Sequence, residues 1–120
     1  MHELSIAQSL VSLVADHLPP GVTRVTAVDL RIGALAGVVP GALEFCYGVA
    51  TEGTPLHGSR LRIEQVPLVV YCDRCGEDRA LADGPTLRCP ACGSLCGTLR
   101  HGRELDLVAI EYDPPEREAP

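Results

Sequence analysis

Apolar side chains near the start of the chain recur at the spacing of an α-helix, which predicts an amphipathic helix over residues 3–18. The apolar positions of this helix are Leu4, Ala7, Leu10, Val11, Val14 and Leu18. The Pro-Pro-Gly run at 19–21 ends it, because proline cannot continue helical hydrogen bonding. A second helix is predicted from about residue 40 to residue 51, since Pro40 suits a first helical position. Its core-facing residues would be Leu43, Cys46 or Tyr47, and Ala50.

Three segments alternate apolar and polar residues, as strands with one buried face do: 22–33, 59–66 and 104–112. Leu61 and Ile63 mark the inward face of the second strand. A cysteine-rich segment, from residue 72 to about residue 100, interrupts the sheet between the second strand and the third. The pattern therefore predicts an α+β fold, in which a small mixed three-stranded sheet packs with two helices and a four-cysteine zinc-ribbon module is inserted.

The same pattern predicts how the chain divides into domains. Residues 1–68 and 101–112 would form the α+β domain, and residues 69–100 would form the zinc ribbon. The two prolines at 114 and 115 begin a polar segment, so residues 113–120 are expected to be a disordered tail.

Two Cys-x-x-Cys pairs carry the strongest chemical signal. Cys72 and Cys75 precede Cys89 and Cys92 in the chain, and a glycine follows each second cysteine. A two-residue spacer lets both sulfurs of a tight turn face one ion, and the glycine permits a positive-φ turn that directs N–H groups at sulfur. The four residues predict a tetrahedral metal site, with zinc favoured over iron. Four protein ligands leave no open position, so the site would be structural.

Disulfides and a dithiol redox pair are the alternative interpretations of these cysteines. The chain shows neither a signal-peptide layout nor an apolar run of ~18 residues. We therefore expect a cytoplasmic protein without a membrane partner, and disulfides are rare in that compartment. Of the two further thiols, Cys96 could replace one of the four ligands, whereas Cys46 is expected to be a small core residue.

The charge balance disfavours nucleic acid as a partner. The 120-residue chain has ten basic residues, all of them Arg, and a net charge of −6, whereas nucleic-acid binding relies on neutralising phosphates. In residues 72–101 four arginines face four acidic residues, and no aromatic side chain is present to stack on a base. A zinc-ribbon module that binds nucleic acid or protein remains the alternative function. A rubredoxin-like iron protein is a third, which a visible spectrum would detect.

Met1, His2 and Glu3 form a second candidate metal site. The α-amine, the His2 amide and imidazole, and the Glu3 amide can close fused chelate rings around one ion. Such rings suit a square-planar ion, which among common cellular metals means Ni(II) or Cu(II). Considered alone, an exposed histidine beside a helix-capping acid explains the same residues more simply.

The chain as a whole resembles the HypA/HybF family of nickel metallochaperones, which act in [NiFe]-hydrogenase maturation. The matching segments are Met-His-Glu-Leu-Ser at 1–5, Arg-Ile-Gly-Ala-Leu-Ala-Gly-Val-Val-Pro at 31–40, Phe45, Ala-Thr-Glu-Gly-Thr-Pro-Leu at 50–56, both cysteine pairs and Gly-Arg-Glu-Leu-Asp-Leu at 102–107. The resemblance covers residues 1 to about 112. It implies a metal carrier and not an enzyme, and no catalytic triad or phosphate loop is apparent in the sequence.

The resemblance also implies which residues bind each metal. Met1, His2 and Glu3 would bind the transferred Ni²⁺, with His2 essential, and the α+β domain would then be the nickel-binding domain. The structural Zn²⁺ would be held by the four paired cysteines, Cys72, Cys75, Cys89 and Cys92. Some members add an acidic nickel ligand before the second helix, but residues 35–40 contain no carboxylate here. The fourth nickel ligand therefore stays open among the Met1 amine, Glu3, water and, more distantly, Glu44.

The partners implied by the resemblance are a HypB-type GTPase and the large subunit of [NiFe]-hydrogenase. In some members of the family urease maturation is supported as well, which would involve urease accessory proteins. The oligomeric state is left open by the sequence.

Overall fold

The computed structural model describes residues 3–81 and 86–115. Within these ranges the chain forms two helices and six strands: α1 (Glu3–His17), β1 (Val25–Gly33), α2 (Pro40–Ala50), β2 (Arg60–Val66), β3 (Leu68–Cys72), β4 (Glu77–Leu81), β5 (Thr98–His101) and β6 (Leu105–Tyr112). The predicted α+β class is confirmed, with β2-β1-β6 as the strand order of the expected sheet. None of the described helices is long and apolar enough to cross a membrane.

The cysteine-rich segment contains a second three-stranded sheet, ordered β4-β3-β5, which the sequence pattern does not predict. β3 is its central strand and pairs antiparallel with both neighbours. β4 carries three charged residues in a row and β5 has four residues, so neither shows the alternation that marks a strand. Both are strands because they complete the hydrogen bonding of β3 and not because of their own pattern.

The chain divides into two compact units. The first unit comprises the residues up to Leu30, the segment Val38–Ile63 and the residues from Leu107 onward, and the second comprises Arg31–Gly37 and Glu64–Asp106. In the first unit α1 and α2 pack against each other. Its buried residues are mostly aliphatic: Ile6, Ala7, Leu10, Val14, Val25, Ala27, Val28, Leu30, Leu43, Tyr47 and Leu56.

The buried faces of the two helices differ in detail from the predicted ones. Ile6 is buried in α1, whereas Leu4 is 42% exposed. In α2 Tyr47 and not Cys46 occupies the core position. The Tyr47 hydroxyl and the Ser59 Oγ lie 2.6 Å apart in a hydrogen bond, and burial raises the pKa of Tyr47. That hydrogen bond lets the phenol remain buried without losing its polar partner.

A close backbone approach in the second unit depends on Gly33. Its N–H donates to the Glu104 carbonyl over 2.7 Å, and the Leu35 N–H donates to the Gly102 carbonyl over 2.6 Å. A Cβ atom added at Gly33 would overlap the carbonyl group of Gly102. Both partners are backbone atoms, which cannot swing aside as a flexible side chain can. Glycine is therefore required here for space.

Gly33→Ala should destabilise the protein by ~1–3 kcal/mol, the usual cost of overpacking, because the backbone must shift to admit the methyl group. The matched control is Gly48→Ala, in the middle of α2, where an added Cβ meets nothing within 4 Å. That change should stabilise by ~0.5–1 kcal/mol, because alanine loses less entropy than glycine in a helix. Urea unfolding of the three proteins measures the difference. Equal midpoints for Gly33→Ala and the wild type would refute the close approach.

Candidate metal centre

The first cysteine pair lies where β3 ends. Cys72 is the last residue of this strand, and Cys75 follows in the turn that leads to β4. The Gly76 N–H donates to the Cys72 carbonyl over 2.7 Å, and the Cys75 N–H points at the Cys72 Sγ over 3.4 Å. Gly76 has a φ of 70°, in the left-handed region that glycine tolerates. The turn thus has the form expected of a metal-binding knuckle.

The second pair repeats this geometry in a separate turn. The Gly93 N–H donates to the Cys89 carbonyl over 2.8 Å, and Gly93 has a φ of 76°. The Cys89 N–H donates to the Ser94 carbonyl, also over 2.8 Å. The same local sequence, Cys-x-x-Cys-Gly, therefore folds the same way twice. Both turns present their sulfurs to a common point.

The four sulfur atoms of Cys72, Cys75, Cys89 and Cys92 lie within 4.8 Å of one another. The Cys72 and Cys92 sulfurs are 3.5 Å apart, and those of Cys75 and Cys89 are 3.9 Å apart. A tetrahedral ion with metal–sulfur bonds of ~2.3 Å requires sulfur separations of ~3.8 Å. A disulfide requires ~2.05 Å, and all six cysteines are free. The arrangement therefore fits a tetrahedral ion and does not fit paired disulfides.

The electrostatics of the cluster favour thiolates in the second pair. Burial raises the pKa of Cys89, but hydrogen bonds from the backbone of Cys92 and Ala91 and from Arg79 outweigh it and lower the pKa to about 6. Hydrogen bonding to Ser94 lowers the pKa of Cys92.

In the first cysteine pair, the neighbouring sulfurs disfavour the thiolate form of Cys75. Hydrogen bonding to Arg79 lowers the pKa of Cys75. The neighbouring sulfurs of Cys92 and Cys72 have the opposite and larger effect, so the pKa is raised overall, to about 11. Four sulfurs this close cannot all be anionic unless a cation lies among them. A bound metal ion would supply that charge.

The apolar core around the sulfurs is small. Leu68 and Val70 of β3 are buried together with Cys72, Cys89 and Cys96. Partly buried leucines pack against them: Leu81, Leu87 and Leu99. Burial of so few aliphatic side chains contributes little stability. The metal ion is therefore expected to be a main source of stability for this segment.

The two remaining cysteines lie outside the four-sulfur group. Cys96 is buried, its Sγ lies 3.6 Å from the Ser94 carbonyl, and burial raises its pKa. Cys46 is half-buried on α2. The geometry thus favours Cys92 over Cys96 as the fourth sulfur, which is the choice made from the turn sequence.

The candidate nickel ligands are only partly within the described residues. Glu3 is the first residue of α1, where its carboxylate complements the helix dipole, but Met1 and His2 lie outside the described residues. Glu44, the more distant alternative, is exposed on α2. The structure therefore does not bring the predicted nickel ligands together or separate them.

Two of the other described histidines, His17 and His101, have hydrogen-bond partners, whereas His57 is exposed. The Nδ1 atom of His17 lies 2.8 Å from the Leu13 carbonyl in the last turn of α1. The Nδ1 atom of His101 lies 3.0 Å from a Glu104 carboxylate oxygen. Hydrogen bonds from the Glu104 and Gly102 N–H groups, together with His101, lower the pKa of that carboxyl. His101, the last residue of β5, is thus bound to Glu104 in the turn before β6 and is not one of the clustered metal-ligand candidates.

The arginines of the cysteine-rich segment mostly have partners within it. Arg100 pairs with Asp78 at 3.2 Å and lies over the Tyr71 ring, 4.8 Å from its centroid. Arg88 donates to the Gly93 carbonyl over 3.1 Å. Such pairing leaves less positive charge for phosphates, so the nucleic-acid alternative gains no support. Arg79, which lies on the same side of the sheet as the sulfur cluster, was not identified from the sequence, because only the strand register reveals its position.

Replacing Cys96 with serine should leave one metal ion per chain, because its sulfur is not one of the four. Replacing Cys92 with serine removes one corner of the tetrahedron and should weaken metal binding by at least about tenfold, or ~1.4 kcal/mol. Elemental analysis of the purified variants measures metal per chain, with Cys46→Ser as a control for loss of a thiol elsewhere. Retention by Cys92→Ser together with loss by Cys96→Ser would make Cys96 the ligand.

Comparison with known proteins identifies relatives over almost the whole chain. Residues 1–112 match the family described as "Hydrogenase/urease nickel incorporation, metallochaperone, hypA". The hydrogenase maturation factor HypA of Chloroflexus aurantiacus is 53% identical over 112 residues, covering 92% of this chain and 98% of that protein. The factor of the same name from a Roseiflexus species is 50% identical over 120 residues, covering 99% and 98%.

Solved structures show the same fold. The solution structure of the Ni metallochaperone HypA from Helicobacter pylori has a TM-score of 0.62 at 20% identity, and covers 93% of this chain and 97% of that one. A second solution structure of a HypA protein has a TM-score of 0.65. The family description and the names of these relatives denote a metallochaperone and maturation factor rather than an enzyme, as the sequence predicts.

Proposed function

The chain belongs to the HypA family of nickel-incorporation metallochaperones that act in hydrogenase maturation, and from this premise we propose that it carries Ni²⁺ at its N-terminal residues for delivery to an apo-hydrogenase. The observation that carries this proposal is that the family match includes residues 1–3, Met-His-Glu. His2 would supply the imidazole and Met1 its amine. Glu3 would complete the site or neutralise its charge.

The position of Glu3 supports a cation near the start of α1. A cation at a helix N-terminus is opposed by the helix dipole, at a cost of ~0.3–1 kcal/mol for an exposed charge. Glu3 is the acidic residue of the first turn and is only partly buried, so its carboxylate can offset that cost. The start of the helix would then hold a divalent ion without a buried cage. Such a site can exchange its metal, as a carrier must.

We propose Zn²⁺ as the resident ion of the four-sulfur centre, held by Cys72, Cys75, Cys89 and Cys92. The support is the tetrahedral spacing of the sulfurs, because tetrahedral four-thiolate sites are typical of structural zinc. All four positions around the ion would be protein ligands, so none would be open to another metal's ligand or to water. This centre would stabilise the second unit and would take no part in nickel transfer.

The expected partners follow from family membership. A HypB-type GTPase and the large subunit of a nickel–iron hydrogenase are the proposed donor or acceptor proteins, and the family description also names urease. Nickel delivery would therefore place this chain between a nucleotide-hydrolysing protein and an apo-enzyme. Reconstitution of hydrogenase activity in extracts that lack this chain tests the assignment of the client.

Loss of the His2 imidazole should abolish most nickel binding while leaving zinc in place. For His2→Ala we expect Ni(II) affinity at least about tenfold weaker, or ~1.4 kcal/mol, with one zinc per chain as in the wild type. His57→Ala is the matched control, since His57 is exposed. Calorimetric titration gives the affinity and elemental analysis gives the zinc. Unchanged nickel affinity in His2→Ala, or in a variant with added residues before Met1, would overturn the N-terminal site.

Nickel affinity should also fall with acidification. An imidazole ligand must be neutral, and the ordinary pKa of histidine is ~6.5, so each bound Ni(II) displaces a proton once the pH falls below that value. We expect apparent affinity to fall about tenfold or more between pH 7.5 and pH 5.5. Titrations across this range, with zinc content checked at each pH, measure it. A flat profile would rule out imidazole ligation.

A further inference from the structure

Arg79 occupies an unusual position for a charged residue. It lies on β4 directly opposite Val70 of β3, and Cys72 lies opposite Glu77 in the same register. Residues that face each other across antiparallel strands project from the same side of the sheet. Val70 and Cys72 are fully buried, so Arg79 projects from the side that carries the sulfur cluster. An arginine on a buried face needs partners for its charge and its donors.

One buried donor of the Arg79 guanidinium has no hydrogen-bond partner among the described residues. Its Nη1 atom pairs with a Glu77 carboxylate oxygen at 2.8 Å. The Glu77 side chain is 63% exposed, so water screens this pair and it does not cancel the guanidinium charge. The Nε atom is buried and has no hydrogen-bond partner among the described residues. A buried donor without an acceptor is costly and calls for an explanation.

The strand register places Arg79 on the side of the sheet that carries the sulfur atoms, which are hydrogen-bond acceptors. Side-chain hydrogen bonding to Cys75, and then to Cys89, raises the pKa of Arg79 above its ordinary value. Those two cysteines come from different knuckles, so the interaction links Arg79 to both cysteine pairs. A thiolate is a better acceptor than a thiol, and metal binding makes every ligand sulfur a thiolate.

The net charge of a metal-loaded four-sulfur centre explains why a guanidinium beside it would be favourable. Four thiolates around one divalent cation carry a net charge of −2, which is costly to bury without nearby positive charge. We propose that Arg79 is the positioning residue of the four-sulfur centre, donating its Nε–H to a ligand sulfur and offsetting one of the two negative charges. This role rests on the metal site proposed above. Nothing in the Cys-x-x-Cys motif itself specifies such a residue.

Partners outside the ligand set commonly change metal affinity by about 10- to 100-fold. We therefore expect Arg79→Gln to bind zinc about tenfold or more weakly and to release it faster to a chelator than the wild type does. The matched control is Arg74→Gln, which removes the same charge from an exposed side chain between Cys72 and Cys75. If Arg79→Gln and Arg74→Gln bind zinc equally well, the proposal is overturned.

The absorption spectrum of the Co(II)-substituted protein distinguishes a hydrogen bond to sulfur from a purely structural role of Arg79, which would leave the charge-transfer bands unchanged. In the Co(II)-substituted protein the sulfur-to-metal charge-transfer bands should shift to lower energy in Arg79→Gln, because a sulfur without its hydrogen bond donates electrons more readily. The tetrahedral d–d bands should persist, which shows that the site still forms. Arg74→Gln should leave both sets of bands unchanged. Identical charge-transfer energies in Arg79→Gln and the wild type would contradict the Nε–H contact.

Arg79→Lys keeps the test decisive if the glutamine variant fails to fold. Lysine retains the charge but lacks the Nε–H donor, so its zinc affinity should lie between those of the wild type and Arg79→Gln. An affinity and charge-transfer energy equal to those of the wild type would remove the proposed role of Nε. Failure of the wild type itself to take up one tetrahedral Co(II) would instead refute the four-sulfur site. The two hypotheses therefore fail in distinguishable ways.

Discussion

The crowding of four sulfur atoms within 4.8 Å is the constraint on which the second unit depends. Thiolates this close repel one another strongly, and the opposite pKa shifts of Cys75 and Cys89 express that conflict. A cation at the centre would turn the repulsion into attraction and would hold the two knuckles together. The apolar cluster around Leu68 and Val70 is small, so we expect this cation to be a main source of the segment's stability. The first unit has no such dependence, because aliphatic side chains from α1, β1 and α2 fill its core.

Much of the first unit follows from the spacing of apolar residues. Both helices begin at the predicted residue, and both end within one residue of the prediction, because the Pro-Pro-Gly run and Pro40 act locally. The spacing does not decide which of two neighbouring apolar residues in a helix is buried. Leu4 and Ile6 both suit a helix face, and only the packing of α1 against α2 decides which is buried. The second sheet escaped prediction since β4 and β5 take their conformation from pairing with β3.

The metal centre divides in the same way into local and non-local parts. The knuckles were predictable because Cys-x-x-Cys-Gly determines a turn within five residues, and Gly76 and Gly93 adopt the expected positive φ. The contribution of Arg79 could not be predicted from the motif, because it depends on the register between β3 and β4, which pairs Arg79 with Val70. Four arginines in the segment look alike in sequence. Their partners separate them, since Arg88 and Arg100 bind within the segment and Arg79 faces the sulfurs.

Coordination geometry explains how one short chain could keep two metals apart. Affinity alone would not, because thiolates and imidazoles bind both Ni(II) and Zn(II), so selectivity must come from geometry and ligand type. The two knuckles hold four sulfurs at tetrahedral spacing. Zn(II) accepts this geometry readily, because its filled d shell imposes no preference for another one. An amine, an amide and an imidazole in succession favour the square-planar arrangement that suits Ni(II). Offsetting charge at the sulfurs would reinforce the separation, because thiolates held by both an ion and a guanidinium are poorer ligands for a passing cation. The closed site would then retain its ion while the open one exchanges, and exchange is what delivery of a metal requires.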